Sequence, residues 1–105
     1  MSIDWLAPWH PAEGDGAALE QQLARECGPT HPLFGAKTKL IARRADTDDA
    51  LFTLPDGRVA EVHLTWRQSG PEPDPRWPAA GIHNSLEDWA RNSMIPLAAE
   101  LRDLN

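Results

Sequence analysis

The turn sequence Pro55-Asp56-Gly57 constrains the fold of this chain more than any other feature. Asp-Gly adopts the positive φ angles that a tight connection between two antiparallel strands requires. The residues on both sides alternate in polarity, and one face carries Ala50, Phe52, Leu54, Ala60, Val62, Leu64 and Trp66. The pattern therefore predicts a hairpin of two strands, over residues 50–54 and 58–66.

A further strand is predicted over residues 37–44, where the alternation is only partial. One face is basic, with Ile41 as an apolar exception among Lys37, Lys39 and Arg43. The other face carries Thr38, Leu40 and Ala42. Three strands joined by short turns form an antiparallel meander. Because Glu61, His63 and Thr65 make one face of the last strand polar, we expect a sheet covered mainly on one side.

Helices are predicted on either side of this meander. Residues 17–27 place Leu19, Leu23 and Cys27 on one face, with Glu20, Gln21 and Gln22 on the other. Asp15 is the candidate N-cap, and Gly28-Pro29 ends the helix. The second helix begins at Asn84 or Ser85 and has an apolar stripe suited to packing on the sheet. That stripe comprises Leu86, Trp89, Ala90, Ser93, Met94, Leu97, Ala98 and Leu101. Pro96 should kink this helix near residue 92 or split it.

Two segments carry no regular pattern. Residues 1–16 are rich in turn residues, and residues 67–83 contain Pro71, Pro73, Pro75 and Pro78, which favour an extended, loop-like chain. The length of 105 residues fits one domain. The predicted fold is therefore a single α+β domain. It consists of an N-terminal helix, a three-stranded antiparallel meander, a long proline-rich loop and a C-terminal helix on the sheet.

Charge and composition exclude several classes of partner. The net charge of −6 opposes nucleic-acid binding, because such binding depends on basic side chains that displace counterions. No apolar run approaches the length of a membrane span, and no leader pattern begins the chain. The single cysteine, Cys27, permits no internal disulfide. We therefore expect a cytoplasmic protein that binds neither nucleic acid nor membranes. The open edges of a three-stranded sheet would allow a homodimer.

The chain lacks the familiar catalytic motifs. There is no G-x-S-x-G, no glycine-rich phosphate loop and no dinucleotide fingerprint. The four histidines lie far apart, and Gly28-Pro29 separates Cys27 from His31, so we expect no metal site and no cofactor. Cys27 lies on an apolar helix face, which favours an inert thiol. His63 could act as a general base with Glu61 and a loop carboxylate such as Asp74. Equally, His63 could be a structural histidine beside Arg43 or Thr53.

The five tryptophans divide into two groups. Trp66 and Trp89 lie on apolar faces and are predicted core residues. Trp5, Trp9 and Trp77 lie in irregular segments, where they either cap the core or face a partner. Tryptophan and arginine are enriched at interface hot spots. The candidate binding residues are therefore Trp77, Arg76, Trp9 and Arg43. The cluster of Asp46, Asp48 and Asp49 could bind a cation or a basic partner, or form a solvated turn.

Several segments resemble a set of small, uncharacterised bacterial proteins of about this length. They are HPLFG at 31–35, IARR at 41–44, DDALF at 48–52, VHLTW at 62–66, EPDPRWP at 72–78 and SLEDW at 85–89. The resemblance spans roughly residues 30–96 and implies a bacterial cytoplasmic protein with no particular activity. We expect a non-catalytic, acidic protein-binding module, such as a regulator or an immunity-type partner of a basic protein. The alternative is a small hydrolase or ligand-binding enzyme that uses His63.

Overall fold

In a computed structural model, which describes residues 3–14 and 16–103, the chain forms a five-stranded antiparallel sheet. The strands are β1 (Trp9–Pro11), β2 (Lys39–Arg44), β3 (Asp49–Thr53), β4 (Val59–His63) and β5 (Ala79–His83). They lie in the sheet in the order of the chain, and each pairs with the next. The Asp-Gly turn joins β3 to β4, as the sequence predicts.

The prediction of three strands is wrong, because both outer strands lie in segments that the sequence marks as irregular. β1 falls within residues 1–16 and β5 within residues 67–83. An edge strand pairs on one side only, so it tolerates a proline that a central strand would exclude. Pro11 ends β1 and Pro78 directly precedes β5. The prolines that suggest a loop are therefore compatible with edge strands.

Helices cover both faces of the sheet. Helix α1 (Ala17–Glu26) packs Leu23 on one face, against a cluster that includes Phe52 and Val62. The C-terminal helix packs Trp89 and Met94 on the other face. The expectation of a sheet covered mainly on one side is therefore wrong. The polar side chain of Glu61 lies beneath the helix because it bonds to residues of that helix.

A bulge in β2 explains why its alternation is only partial. The register shifts between Leu40, which pairs with Phe52, and Ala42, which pairs with Leu51. Phe52 and Leu51 belong to clusters on opposite faces. Leu40 and Ala42 therefore face opposite ways, contrary to the prediction. Ile41 is the extra residue that makes this inversion possible.

Helix α1 presents its predicted apolar face to the sheet, with Leu19, Leu23 and Cys27 in one cluster. Gln22 was predicted on the exposed side of the helix, and this is wrong, because the residue is only 4% exposed. Glu26 is fully buried. The predicted N-cap, Asp15, lies outside the described residues, and Gly16 precedes the first helical turn without a side-chain cap.

The C-terminal helix consists of α2 (Leu86–Trp89), a π-helical turn (Ala90–Met94) and α3 (Ile95–Asp103). It begins at the second of the two predicted caps, since the Ser85 hydroxyl accepts a hydrogen bond from the Asp88 amide. Within the π turn, the Ile95 amide bonds to the Ala90 carbonyl, one residue further back than in an α-helix. This turn stands immediately before Pro96, which has no amide hydrogen to donate.

Candidate functional site

A groove lies beside the end of β4, where the proline-rich loop runs back toward β5. Its volume is about 440 Å³. The lining residues are Asp48, His63, Leu64, Thr65, Trp66, Glu72 and Trp77. Two of them are large apolar side chains that remain exposed, Trp66 at 38% and Trp77 at 43%. An exposed pair of tryptophans beside one concave surface is typical of a binding site.

Trp66 was predicted to continue the apolar face of β4 into the core, and this is wrong. The strand ends at His63, and Leu64 is the last side chain of that face to be buried. Trp66 has a φ angle of +61°, in the left-handed region. Such a conformation costs a bulky residue about 1–3 kcal/mol, and it turns the Trp66 side chain outward.

The buried carboxylate of Glu26, at the end of α1, holds this strained backbone in place. Its Oε1 accepts a hydrogen bond from the Thr65 amide at 2.8 Å, and its Oε2 accepts one from the Trp66 amide at 2.9 Å. The Gln22 side chain donates to the same Oε2 at 2.7 Å. Helix α1 therefore fixes one side of the groove through a single side chain.

The proline-rich loop is attached to the region that follows α1. The Glu72 amide donates to the Glu26 carbonyl at 2.9 Å. The loop also passes so close to Gly28 that an added Cβ there would lie 3.2 Å from the Glu72 carbonyl oxygen. Near the end of the loop, His31 Nε2 lies 2.8 Å from the Pro78 carbonyl oxygen. These contacts hold Trp77 beside the groove.

His31 is a buried structural residue with assignable donors and acceptors. Its Nδ1 accepts a hydrogen bond from the Leu33 amide at 3.0 Å. Nε2 therefore carries the hydrogen and donates it to the Pro78 carbonyl. With both ring nitrogens engaged inside the protein, His31 stabilises the loop.

His63 lines the groove and pairs with Asp49, not with the predicted partners Glu61 and Asp74. Its Nδ1 lies 2.7 Å from Asp49 Oδ1, across the pairing of β4 with β3. Arg44 approaches the other oxygen of Asp49 at 3.6 Å. The His63 side chain is 49% exposed, whereas that of Asp49 is 14% exposed. The pair therefore has a shielded carboxylate and an accessible imidazole.

The two carboxylates proposed as partners of His63 have other contacts. Glu61 Oε1 accepts hydrogen bonds from the Trp89 indole at 2.7 Å and from the Ser93 hydroxyl at 2.6 Å. Asp74 binds the Arg76 guanidinium and backbone amide, which lowers the pKa of the Asp74 carboxyl. Neither residue lines the groove. Glu61 attaches the C-terminal helix to the sheet, and Asp74 closes a turn in the loop.

The groove is acidic. Asp48 and Glu72 are its carboxylates, and its lining contains no lysine or arginine among the described residues. Arg67 approaches Glu72 only at 3.9 Å. Asp48 is exposed and takes part in no ion pair within the described ranges. By contrast, Asp46 in the same turn is engaged by Arg44, which lowers the pKa of its carboxyl.

The predicted binding residues have different environments. Trp77 lines the groove, and Arg76 beside it is exposed but paired with Asp74. Trp9 is 2% exposed and packs edge-on against Trp89 at 5.1 Å, so it belongs to the core. Arg43 lies on β2, opposite His10 and Ala50, away from the groove residues.

Trp66, Thr65 and Glu72 line the groove but were not among the predicted site residues. These residues come together because the chain turns outward at Trp66 and the proline-rich loop runs back toward β5. Neither feature is marked by a local sequence pattern. Thr65 is notable because its hydroxyl oxygen is buried and has no hydrogen-bond partner among the described residues. The only sequence signal is the polar run Arg67-Gln68-Ser69-Gly70, which marks the end of the strand.

Among the described residues, neither Cys27 nor a group of metal-binding side chains forms a second candidate site. Burial, with a contribution from Glu26, raises the pKa of the Cys27 thiol to about 11, so the thiol is protonated at neutral pH. Over residues 3–14 and 16–103, no three side chains of metal-binding type come together. In the same ranges, no helix is both long and apolar enough to cross a membrane.

Comparison with known proteins gives no family for this chain. No family model matches it, and the comparisons with curated proteins and with solved structures give no match. The resemblance described from the sequence motifs therefore stays a prediction.

Proposed function

We propose that this protein is a non-catalytic binding module that takes a basic segment of a partner protein into its acidic groove. One observation carries the proposal: two exposed tryptophans, Trp66 and Trp77, flank a groove whose charged lining residues are the carboxylates Asp48 and Glu72. Aromatic faces and carboxylates together attract arginine and lysine side chains. The net charge of −6 adds a long-range attraction for a basic partner.

The cost of ordering the site also supports this function. The Glu26 carboxylate already holds the backbone around Trp66, so binding requires little further ordering there. The left-handed conformation of Trp66 is energetically unfavourable, and such strain is concentrated at functional sites.

A tetra-arginine peptide, titrated while tryptophan fluorescence and heat are recorded, tests the proposal. We expect binding by the wild type and a loss of affinity of about fivefold to thirtyfold in Trp77→Ala and in Trp66→Ala, as expected for removal of a cation–π contact. Affinity should fall as salt is added, since the attraction is partly between exposed charges.

Matched controls distinguish binding in the groove from non-specific attraction of a basic peptide to an acidic protein. Ile95→Ala removes another exposed apolar side chain, 47% exposed and located on α3, and should bind like the wild type. A tetra-glutamate peptide should not bind. The proposal is rejected if the wild type does not bind tetra-arginine at millimolar concentration, or if the tryptophan variants bind it unchanged.

A second candidate, a small hydrolase or ligand-binding enzyme, is favoured by the pair of His63 and Asp49. The Asp49 carboxylate accepts the hydrogen of Nδ1, which leaves Nε2 as the basic nitrogen. An imidazole oriented in this way beside a groove can act as a general base on water.

Hydrolysis of p-nitrophenyl acetate and p-nitrophenyl phosphate tests this candidate. If His63 is a general base, His63→Ala should lower kcat/KM by about a hundredfold or more, and Asp49→Asn should lower it less. Trp77→Ala, which leaves the dyad intact, should act mainly on KM. Wild-type rates no higher than those of the His63→Ala variant would eliminate the candidate for these substrate classes.

A further inference from the structure

The two edges of the sheet differ in how they are protected. β1 is a three-residue strand that ends at Pro11, and proline cannot donate to a neighbouring strand. β5 has five residues, with neither proline nor a Lys, Arg, Asp or Glu side chain among them. Ala80 and Gly81 are exposed, and Ile82 is 39% exposed. Proteins normally protect an open edge with charges, prolines or bulges, so β5 is unusual.

The hydrogen bonds of the neighbouring strands show which backbone groups of β5 are free. The Leu54 amide bonds to the Arg58 carbonyl, and the Leu64 amide bonds to the Asp48 carbonyl. Hydrogen bonding alternates along a strand. The backbone groups of even-numbered β4 residues therefore point to β3, and those of Glu61 point to β5. Glu61 pairs with Gly81, so Gly81 bonds inward to β4. It follows that the amides and carbonyls of Ala80 and Ile82 point outward.

These outward groups are complementary to a second copy of themselves. When two β5 strands run antiparallel with Gly81 opposite Gly81, Ala80 of each copy stands opposite Ile82 of the other. These two residues then exchange hydrogen bonds across the seam, which is the boundary between the two β5 strands. The central glycine pair is the non-bonded type, in which backbones approach most closely, to about 4.5 Å between Cα atoms.

The side chains along this seam also fit. Ala80 pairs with Val62 and Ile82 with Ala60, both residues of the cluster beneath α1. Ala80 and Ile82 therefore project on the α1 face, where a small residue of one copy meets a large one of the other. The opposite face presents only Ala79, Gly81 and His83. No pair of like charges is brought together by strand residues.

We propose that two copies of this chain associate through β5, antiparallel about a twofold axis at Gly81, into one continuous sheet. The proposal does not depend on the groove, because none of the residues that pair across the seam lines it. Each copy carries a net charge of −6, so the copies repel one another at long range. Added salt should therefore strengthen this association, whereas it should weaken peptide binding in the groove.

Oxidative cross-linking of Gly81→Cys tests the register. At the central pair the Cα separation of about 4.5 Å falls within the range that a disulfide requires. An added Cβ at Gly81 meets only the His83 ring, at 3.7 Å, so the variant should fold. Ala80→Cys is the matched control, because its own copy lies diagonally, about 7–8 Å away. In a glutathione buffer, Gly81→Cys should cross-link at least about tenfold more than Ala80→Cys.

Sedimentation velocity on the uncross-linked protein tests the association itself. The wild type should sediment as a species of twice the 11.6 kDa chain mass. Ile82→Lys should shift it toward the monomer, because it places a cation at the seam, while Ile95→Lys, at another exposed isoleucine, should not. The proposal is overturned by a wild type that is monomeric at several hundred micromolar. It is also overturned by a dimer that Ile82→Lys leaves intact, or by equal cross-linking of the two cysteine variants.

Discussion

Replacing Trp89 by alanine is expected to lower the free energy of unfolding by about 3–5 kcal/mol. Trp89 is fully buried, and its ring lies 5.1 Å from that of Trp9 and 5.9 Å from that of Trp5. The substitution leaves a large cavity and removes the indole that donates to Glu61. Urea unfolding followed by far-ultraviolet circular dichroism measures the loss without depending on tryptophan fluorescence.

Two variants identify the source of this loss. Trp77→Ala removes the same side chain from an exposed position, and it should change the free energy of unfolding by no more than about 0.5 kcal/mol. Trp89→Phe retains most of the packing but not the hydrogen bond, so its effect should lie between the other two. A loss below about 1 kcal/mol in Trp89→Ala would contradict the view that this contact fixes the C-terminal helix to the sheet.

Local sequence signals were sufficient to locate the three central strands and both helices. The Asp-Gly turn and the alternation on either side place β3 and β4 in register, and the helical stripes identify the buried faces of Leu23 and Trp89. These signals are local because each depends on residues that are near neighbours in the chain.

The edges of the sheet could not be read in the same way. β1 and β5 each form through contact with a strand more than fifteen residues away. The prolines in or beside them also make the sequence typical of a loop. The sequence of β5, AAGIH, also has little β-propensity of its own. Its conformation is therefore fixed by pairing with β4, not by its composition.

The candidate site was predictable only in part. His63 and Trp77 were identified from residue type and position, and both line the groove. Trp66 was misplaced because alternation was extended past the point where β4 ends. The buried acceptor Glu26 was missed because a glutamate near a helix end usually faces solvent. Its burial is explained by three donors that reach its carboxylate: the amides of Thr65 and Trp66 and the side chain of Gln22.

Replacing Glu26 by glutamine is expected to lower the free energy of unfolding by about 2–3 kcal/mol. The carboxylate is fully buried and accepts from two backbone amides and from Gln22. An amide of the same shape has one acceptor oxygen, so its NH₂ group must face one of these donors. Glu20→Gln is the matched control: its carboxylate, on the same helix, accepts from one backbone amide, that of Leu40. We expect it to cost about 1 kcal/mol or less, by the same urea measurement.

The Glu26 variant should also weaken the groove, because the same hydrogen bonds oppose relaxation of the strained Trp66 backbone. Once the Trp66 amide loses its acceptor, no hydrogen bond compensates for the unfavourable energy of the left-handed conformation. The backbone can then relax, and the indole can leave the groove. Binding of tetra-arginine by folded Glu26→Gln should therefore fall toward the level of Trp66→Ala, whereas Glu20→Gln should bind like the wild type. A variant that loses stability but binds normally would show that Glu26 stabilises the fold without positioning Trp66. A variant that loses both stability and affinity for tetra-arginine would show that Glu26, at the buried end of α1, also supports peptide binding in the groove.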